Sequence, residues 1–365
     1  MRNYPKIAVV YLSFNCQSHL SDVISGLRRM TYPKERVEFV VVDNPHPERG
    51  SSVGFLRENL LPLSGNDFPR VTILPQAVNL GFSAGNNVGV KWALENGCDF
   101  VYLHNDDGFV TAGFLEPLVE AMESDEKIGA AQSLIMLYPD TDLVNSSGNF
   151  FHYLGFGFCG NLRKKINDLP LPPVAETAYA SGAAVLLRAD LLKKFGVWDE
   201  DFFLYHEDIE YSFRLKIAGY KIAAVRDSVF CHKYAFSRNK EKFYYIERNR
   251  FGLMLSYFKW PTLFLLLPAA IFLDLGLLFF SASSGWLKEK LRAWGYWLKI
   301  KNWRLWLAKR KRIQSFRVVS DRELMKLFTG KIAFEEKSAS SPLLKYVGNP
   351  ILSVYWRIAK WIIFW

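Results

Sequence analysis

Three acidic sites and one histidine have the residue types and placement to do chemistry. Phe100 to Gly108 reads FVYLHNDDG: an apolar run breaks into Asn105, Asp106 and Asp107, and Gly108 allows a turn. Carboxylates just past the carboxyl end of a buried parallel strand lie where open α/β sheets bind ligands. Adjacent acids and an amide offer hard oxygen donors to Mg²⁺ or Mn²⁺, ions that usually arrive with substrate phosphates. An isolated NDD is more often an Asx-rich turn, so the neighbouring motifs decide its meaning. Glu207 and Asp208 open a helical pattern through Ile209, Phe213, Leu215 and Ile217, at the end where negative charge is favoured. Plain capping is the commoner use of such a pair. His232 follows an apolar run; most such histidines are core or surface residues, yet the ring is a competent metal ligand. Asp43 ends the run VEFVVV, where an acid often hydrogen-bonds a nucleotide's base or ribose. Helix capping competes for it, although Pro45 and Pro47 favour a loop.

These residues need strands to carry them. Lys6 to Leu12 is a β-branched apolar run of strand length, ended by Ser13-Phe14-Asn15. Residues 17 to 30 place Leu20, Val23, Ile24, Leu27 and Met30 at helical spacing, and Val37 to Val42 is a second buried strand, so the opening is a βαβ unit. Val71 to Leu74 gives a third strand. NLGFSAGNN follows, with Asn79, Gly81, Phe82, Gly85, Asn86 and Asn87 in a turn feeding a helix that Gly97 ends. Such a turn can bring backbone N–H groups to a diphosphate. A helix at 112–124 and a strand at 129–136 come next. The irregular stretch 138–174 is expected to be a loop or small hairpin near an acceptor. Ala178 to Leu187 returns to the sheet, with Ser181-Gly182 permitting close approach to the backbone, then a helix over 189–195 and a last strand over 221–225.

The chain of 365 residues carries a net charge of +10 with 50% hydrophobic residues, which excludes disorder and asks for an anionic partner. Its four cysteines have neither C-x-x-C nor zinc spacing and read as packed thiols of a reducing compartment. The opening apolar run is too short for a secretory signal, so a cytoplasmic location is expected. Beyond Arg250 the composition changes. Trp260 to Phe280 is just long enough to span a bilayer but contains Pro268 and Asp274, which predicts a kinked helix or a hairpin dipping into one leaflet. Residues 286–312 interleave five tryptophans with Lys and Arg, as an interfacial helix would, and Tyr355 to Trp365 is a second membrane-contact element. A helical subdomain packed on the core is the bland alternative.

Taken together these motifs resemble the inverting glycosyltransferases of family 2, with the GT-A fold, over Lys6 to about Phe258 and again through KRKRIQSFRVVSDREL. Ser13-Phe14-Asn15, Val42-Asp43-Asn44, NLGFSAGNN, Asn105-Asp106-Asp107, Glu207-Asp208 and His232 carry the likeness, in that order. The implied fold is an α/β Rossmann-like mixed sheet, residues 1–255, followed by a helical membrane-associating region, residues 256–365. The resemblance implies a nucleotide-sugar donor held by Ser13, Asn15, Asp43, Asn79, Gly81, Phe82, Asn86, Asn87, Asp106, Ser181 and Gly182. It implies Mg²⁺ or Mn²⁺ held by Asp107 and His232, with Asp208 as general base and Glu207 positioning the acceptor or supporting Asp208. Asn105 stands where many members have an acid, so Asp106 could meet either metal or solvent. The C-terminal portion is most similar to rhamnosyltransferase-like members, implying dTDP-rhamnose as donor and a polyprenyl-diphosphate-linked saccharide as acceptor, at the cytoplasmic membrane face. The membrane attachment could be peripheral, re-entrant or single-pass, and a homo-oligomer stays open. A UDP-sugar donor and a catalytically silent membrane scaffold are the alternatives. Charge alone suggests nucleic acid, which the neighbouring apolar run argues against.

Overall fold

The computed structural model describes residues 4–233, 240–333 and 342–365. The chain divides into two compact units: residues 1–148, 160–203 and 221–235 form one, and 149–159, 204–220 and 236–365 the other. The boundary expected at residue 255 therefore falls inside the second unit.

The first unit begins with β1 (Ile7–Ser13), α1 (Leu20–Arg28), β2 (Val37–Asp43), α2 (Val53–Leu60) and β3 (Arg70–Pro75). β1 and β2 are buried along their whole length, as continuous apolar runs in a covered parallel sheet should be. α3 (Gly81–Glu95) leads to β4 (Phe100–Asn105), β5 (Gly108–Val110), α4 (Leu115–Ser124), β6 (Ile128–Leu137) and β7 (Val144–Ser146). After β8 (Asn149–His152) and β9 (Phe156–Cys159), which belong to the second unit, come β10 (Val174–Glu176), β11 (Ala184–Arg188) and α5 (Ala189–Phe195). α6 (Glu207–Ile217) is again in the second unit, and β12 (Lys221–His232) completes the sheet. The order is β10-β12-β6-β11-β4-β1-β2-β3, with β5 on β12 and β7 on β6. β3, β2, β1 and β4 run parallel, whereas β11 is antiparallel to both β4 and β6. The last strand is longer than the expected 221–225: a bulge between Val225 and Val229 lets it continue to His232.

α3 differs from the expected turn. The helix starts at Gly81, so Gly85, Asn86 and Asn87 are already helical. A Cβ on Gly85 would lie 2.6 Å from a Leu12 methyl and one on Gly89 would lie 2.4 Å from Val10. Glycines four residues apart thus let α3 press onto β1 and β2. The four cysteines are free thiols, three of them buried.

The second unit adds α7 (Glu241–Tyr257), α8 (Trp260–Ser283), α9 (Leu287–Trp297), α10 (Ile300–Ser315), α11 (Asp321–Leu324), β13 (Phe328–Thr329) and α12 (Asn349–Ile362). The hairpin β8-β9 pairs with β13, so part of the irregular stretch is a three-stranded sheet. Phe151, Phe213 and Phe328 form its aromatic centre, with ring centroids 4.7 to 5.4 Å apart. α8 is one continuous helix with Pro268 inside it, which corrects the hairpin alternative. Residues 286–312 form two helices; Trp286 stacks on Phe243 and Trp306 is buried, whereas Trp303 is exposed. Trp306 fits because Gly252 has no side chain; a Cβ there would lie 2.4 Å from its ring.

Candidate active site

Parallel pairing sets the tips of β1, β2 and β4 level, since Ser13 is opposite Asp43 and Leu12 opposite Asn105. Past β4 the chain turns at Asp106-Asp107 into β5, whose Gly108 pairs with His232 of β12. A Cβ on Gly108 would lie 2.3 Å from the Phe230 ring, so only glycine lets β5 lie this close. That pairing brings together two residues 125 positions apart: His232 Nε2 is 2.9 Å from Asp107 Oδ1. The amide of Asn105 donates to the same oxygen at 2.9 Å, and the Lys233 N–H donates to the Asp107 carbonyl at 2.7 Å. Burial alone would raise the Asp107 carboxyl; the hydrogen bond and charge of His232, with the Asn105 amide, hold it below its ordinary value. At the other ring nitrogen of His232, Asn145 Oδ1 lies 2.9 Å from Nδ1. Nδ1 is then the donor, and Nε2 points at Asp107 as the place for a second proton or a metal ion. Asn145 has no counterpart among the residues expected from sequence; a lone Asn on a short strand carries no signal.

Asp106 behaves differently. Its Oδ2 accepts the Phe14 N–H at 2.8 Å, yet loss of hydration and repulsion from Asp107 push its carboxyl up to about 8. Among the described residues no cluster of three or more His, Cys, Asp or Glu is arranged to hold a metal. Two protein donors, one carboxylate and one imidazole, fit Mg²⁺ or Mn²⁺ that completes its shell with water and substrate phosphates. A bound dication would also reverse the repulsion that raises Asp106.

Several residues expected to touch the donor are engaged by the fold. Both oxygens of Asp43 are taken, by the Ser52 N–H at 3.0 Å and the Ser51 hydroxyl. Asn79 Oδ1 accepts the Gly81 N–H at 2.8 Å and the Asn44 amide at 3.0 Å. The Phe82 N–H donates to Phe203 O at 2.8 Å, so the start of α3 does not leave that group for a diphosphate. Gly81 is left-handed, with φ 76°, and a Cβ there would collide with the Phe203 ring. Asn86 bonds the Phe82 carbonyl, and Asn87 clasps the backbone of Trp198 from both sides at 2.8 and 3.0 Å. Asn15 is left-handed (φ 65°), a conformation asparagine tolerates, and Ser13 is buried. The Ser181 N–H donates to Gln132 at 2.7 Å, and Gly182 leaves room for Trp198 and Phe82.

Glu207 and Asp208 stand in the second unit, in the first turn of α6. Tyr205 and His206 ahead of them both have positive φ, 65° and 71°. Side chains hold that strained entry. The Asn249 amide donates to the Leu204 and Tyr205 carbonyls at 3.1 and 2.7 Å, and His206 Nε2 meets Gly155 O at 2.8 Å. Asn249 and His206 were invisible in sequence because their partners are backbone carbonyls. Asp208 is half-buried, and its Oδ1 accepts the Ile209 N–H at 2.7 Å. Glu207 is buried, its Oε2 has no hydrogen bond among the described residues, and its loss of hydration, with the charge of Asp208 beside it, raises its carboxyl well above the ordinary value.

Comparison with known proteins places these features. The family described as glycosyl transferase family group 2 matches residues 100–307, more than half of the chain. The chain is 26% identical over 235 residues to the probable glycosyltransferase YdaM of Bacillus subtilis, covering 61% of this chain and 49% of that protein. It is 23% identical over 221 residues to the low-salt glycan biosynthesis hexosyltransferase Agl10 of Haloferax volcanii, covering 58% and 61%. Over 256 residues it is 23% identical to the N-acetylglucosaminyl-diphospho-decaprenol L-rhamnosyltransferase of Mycobacterium tuberculosis, covering 64% and 78%. The first two alignments thus span less than two thirds of each relative's own length. Among solved structures, GalNAc-T7 with UDP, GalNAc and Mn²⁺ superposes with TM-score 0.56 at 13% identity, over 74% of this chain and 52% of that one. The mannosyltransferase PcManGT from Pyrobaculum calidifontis, in complex with GDP-Man and Mn²⁺, gives 0.50 at 14% identity, covering 86% of each chain.

Proposed function

This chain belongs to glycosyl transferase family group 2 and has the GT-A fold, and from that membership we propose that it is a metal-dependent, inverting glycosyltransferase. The donor is dTDP-rhamnose and the acceptor a polyprenyl-diphosphate-linked saccharide, in cell-surface polysaccharide synthesis at the cytoplasmic membrane face. The observation that carries the catalytic reading is the pairing of Asp107 with His232, backed by Asn145, at the carboxyl ends of the sheet strands. The rhamnose reading is supported by the mycobacterial relative, whose name gives both that sugar and a diphospho-decaprenol acceptor. Mn²⁺ in the two solved structures supports a divalent ion.

Asp107 and His232 would hold Mg²⁺ or Mn²⁺, which when bound acts as a Lewis acid on the departing nucleoside diphosphate. Asp107, kept ionised by His232 and Asn105, is suited to that task at neutral pH. Asp208 takes the proton of the acceptor hydroxyl as that oxygen attacks the anomeric carbon from the face opposite the diphosphate. The new C–O bond forms as the bond to the phosphate oxygen breaks, and the configuration inverts. A half-buried carboxylate can reach an acceptor, whereas buried Glu207 serves better by supporting Asp208. Ser13, Asn15, Asp43, Asn79, Gly81, Phe82, Asn86, Asn87, Asp106, Ser181 and Gly182 contribute the donor's surroundings, several of them by shaping backbone.

The test is a donor panel: dTDP-rhamnose and UDP-sugars with Mg²⁺ or Mn²⁺ and a polyprenyl-diphosphate saccharide, reading nucleoside diphosphate release. Release from dTDP-rhamnose that EDTA abolishes is expected. Release from a UDP-sugar alone would replace the donor, and release indifferent to EDTA would remove the metal.

A further inference from the structure

α8 and α12 each have two apolar faces. On α8, Thr262, Leu266, Ala269, Leu273 and Leu277 recur at helical spacing and are buried. Phe264, Leu267, Ile271, Leu275 and Phe279 recur on the opposite side and are 50 to 75% exposed. On α12, Leu352, Trp356 and Ala359 are buried, while Ile351, Val354, Ile358 and Trp361 form an outer stripe 47 to 86% exposed. The two helices are fastened together: the Tyr355 hydroxyl donates to Leu265 O, and Trp365 Nε1 donates to Thr262 at 2.8 Å. Two outer stripes of this kind far exceed the scattered apolar exposure normal for a water-facing surface.

The charges say what covers them. The one ionisable residue in α8, Asp274, is turned away from the outer stripe into a buried cluster, bonded to Arg250 at 2.6 Å, to Lys290, and to Trp294 Nε1 at 2.8 Å. The outer stripe of α8 is therefore free of charge. Among the described residues, the exposed cations Arg357 and Lys360 flank the α12 stripe, and Lys345 precedes it. A second copy brought up against this face in a symmetric contact would set these cations against each other. Lipid phosphates would pair with them.

We propose that the outer faces of α8 and α12 together dock the second unit on an anionic lipid bilayer, with α8 lying in the plane of the interface. It does not cross, although its 24 residues are long and apolar enough to. A spanning α8 would have to pull Asp274 away from Arg250 and Lys290, leaving charges unpaired in a nonpolar medium. The docked face rests on, and deepens, the reading that the acceptor is lipid-linked: it holds the enzyme where such an acceptor lies. Trp286 and Trp306, which are buried, are no part of that contact.

The test is flotation of the full chain with vesicles of phosphatidylcholine alone or mixed with phosphatidylglycerol, which needs no turnover and so stands or falls apart from the assigned reaction. Binding to the anionic vesicles is expected, weakened at least tenfold by Ile271→Glu with Val354→Glu, exposed positions whose variants should keep the wild-type melting temperature. Arg357→Ser and Lys360→Ser should each weaken it about fivefold. Bound protein should be digested completely by protease added outside sealed vesicles; a protected fragment containing 260–283 would overturn the in-plane geometry. Absence of binding, equal binding by the double variant, or a lipid-free dimer that the double variant dissociates would overturn the proposal.

Discussion

Two glutamates in the second unit make the instructive contrast. Glu207 and Glu247 are both buried, 5% and 2% exposed. Glu247 has a partner on each oxygen: Arg250 bonds both at 3.0 Å and Lys290 adds to one. Burial would raise its carboxyl, but these cations hold it below its ordinary value. Among the described residues Glu207 has no cation to do so and its Oε2 has no hydrogen bond, and it is raised instead. The same residue type at similar depth is thus a structural anchor in one place and an energetic liability in the other. Unrelieved cost of this kind marks a site kept for its chemistry. Asp106 in the first unit repeats the pattern, raised beside an Asp107 that His232 keeps ionised.

The contrast breaks most visibly through Asp208. Asp208→Asn should lower kcat by about 10²- to 10⁴-fold, the ordinary contribution of a general base, with donor affinity by calorimetry unchanged. Its stability should move by less than about 0.5 kcal/mol, because the side chain is half-exposed. Glu247→Gln should do the reverse. Leaving Arg250 and Lys290 undercompensated in the bundle should cost about 3 to 5 kcal/mol in urea unfolding, and activity per folded molecule should persist. Next in size, Asn145→Ala should weaken Mn²⁺ affinity, followed by its electron paramagnetic resonance signal, about 10- to 100-fold by freeing the His232 ring.

The smallest effect is the sharpest on the comparison. A carboxyl raised on folding contributes stability that is full below its unfolded value near 4.5 and is lost as pH rises through the folded value. Glu207→Gln mimics the neutral form and escapes that loss. Variant and wild type should melt alike at pH 4, and the variant should gain on the wild type with rising pH, by about 1.4 kcal/mol per unit of elevation. For Glu247, lowered on folding, the window lies on the acid side: Gln should lose ground to the wild type as pH rises toward about 4.5 and no further above it.

The sheet was legible because covered parallel strands are written as unbroken apolar runs, Ile7 to Leu12 and Val37 to Val42 among them. Asp107 and His232 could be named together only through resemblance, since the β5-β12 pairing that joins them leaves no local pattern. NLGFSAGNN was legible as special and misread in detail. Its glycines serve close packing on Leu12 and Val10, a role a phosphate-binding turn shares in composition. In the bundle, alternating Trp and Lys does not tell an inward ring from an outward one. Trp286 and Trp306 went inward because Phe243 and Gly252 receive them, and those partners are distant in sequence.

The most direct test of the central claim is the anomeric configuration of the sugar in the product, read by nuclear magnetic resonance after transfer from the donor that the panel identifies. An Asp208 that only removes a proton from the acceptor predicts a single displacement and a linkage opposite in configuration to the donor. A product that retained the donor's configuration would require two displacements and would contradict the assignment of Asp208.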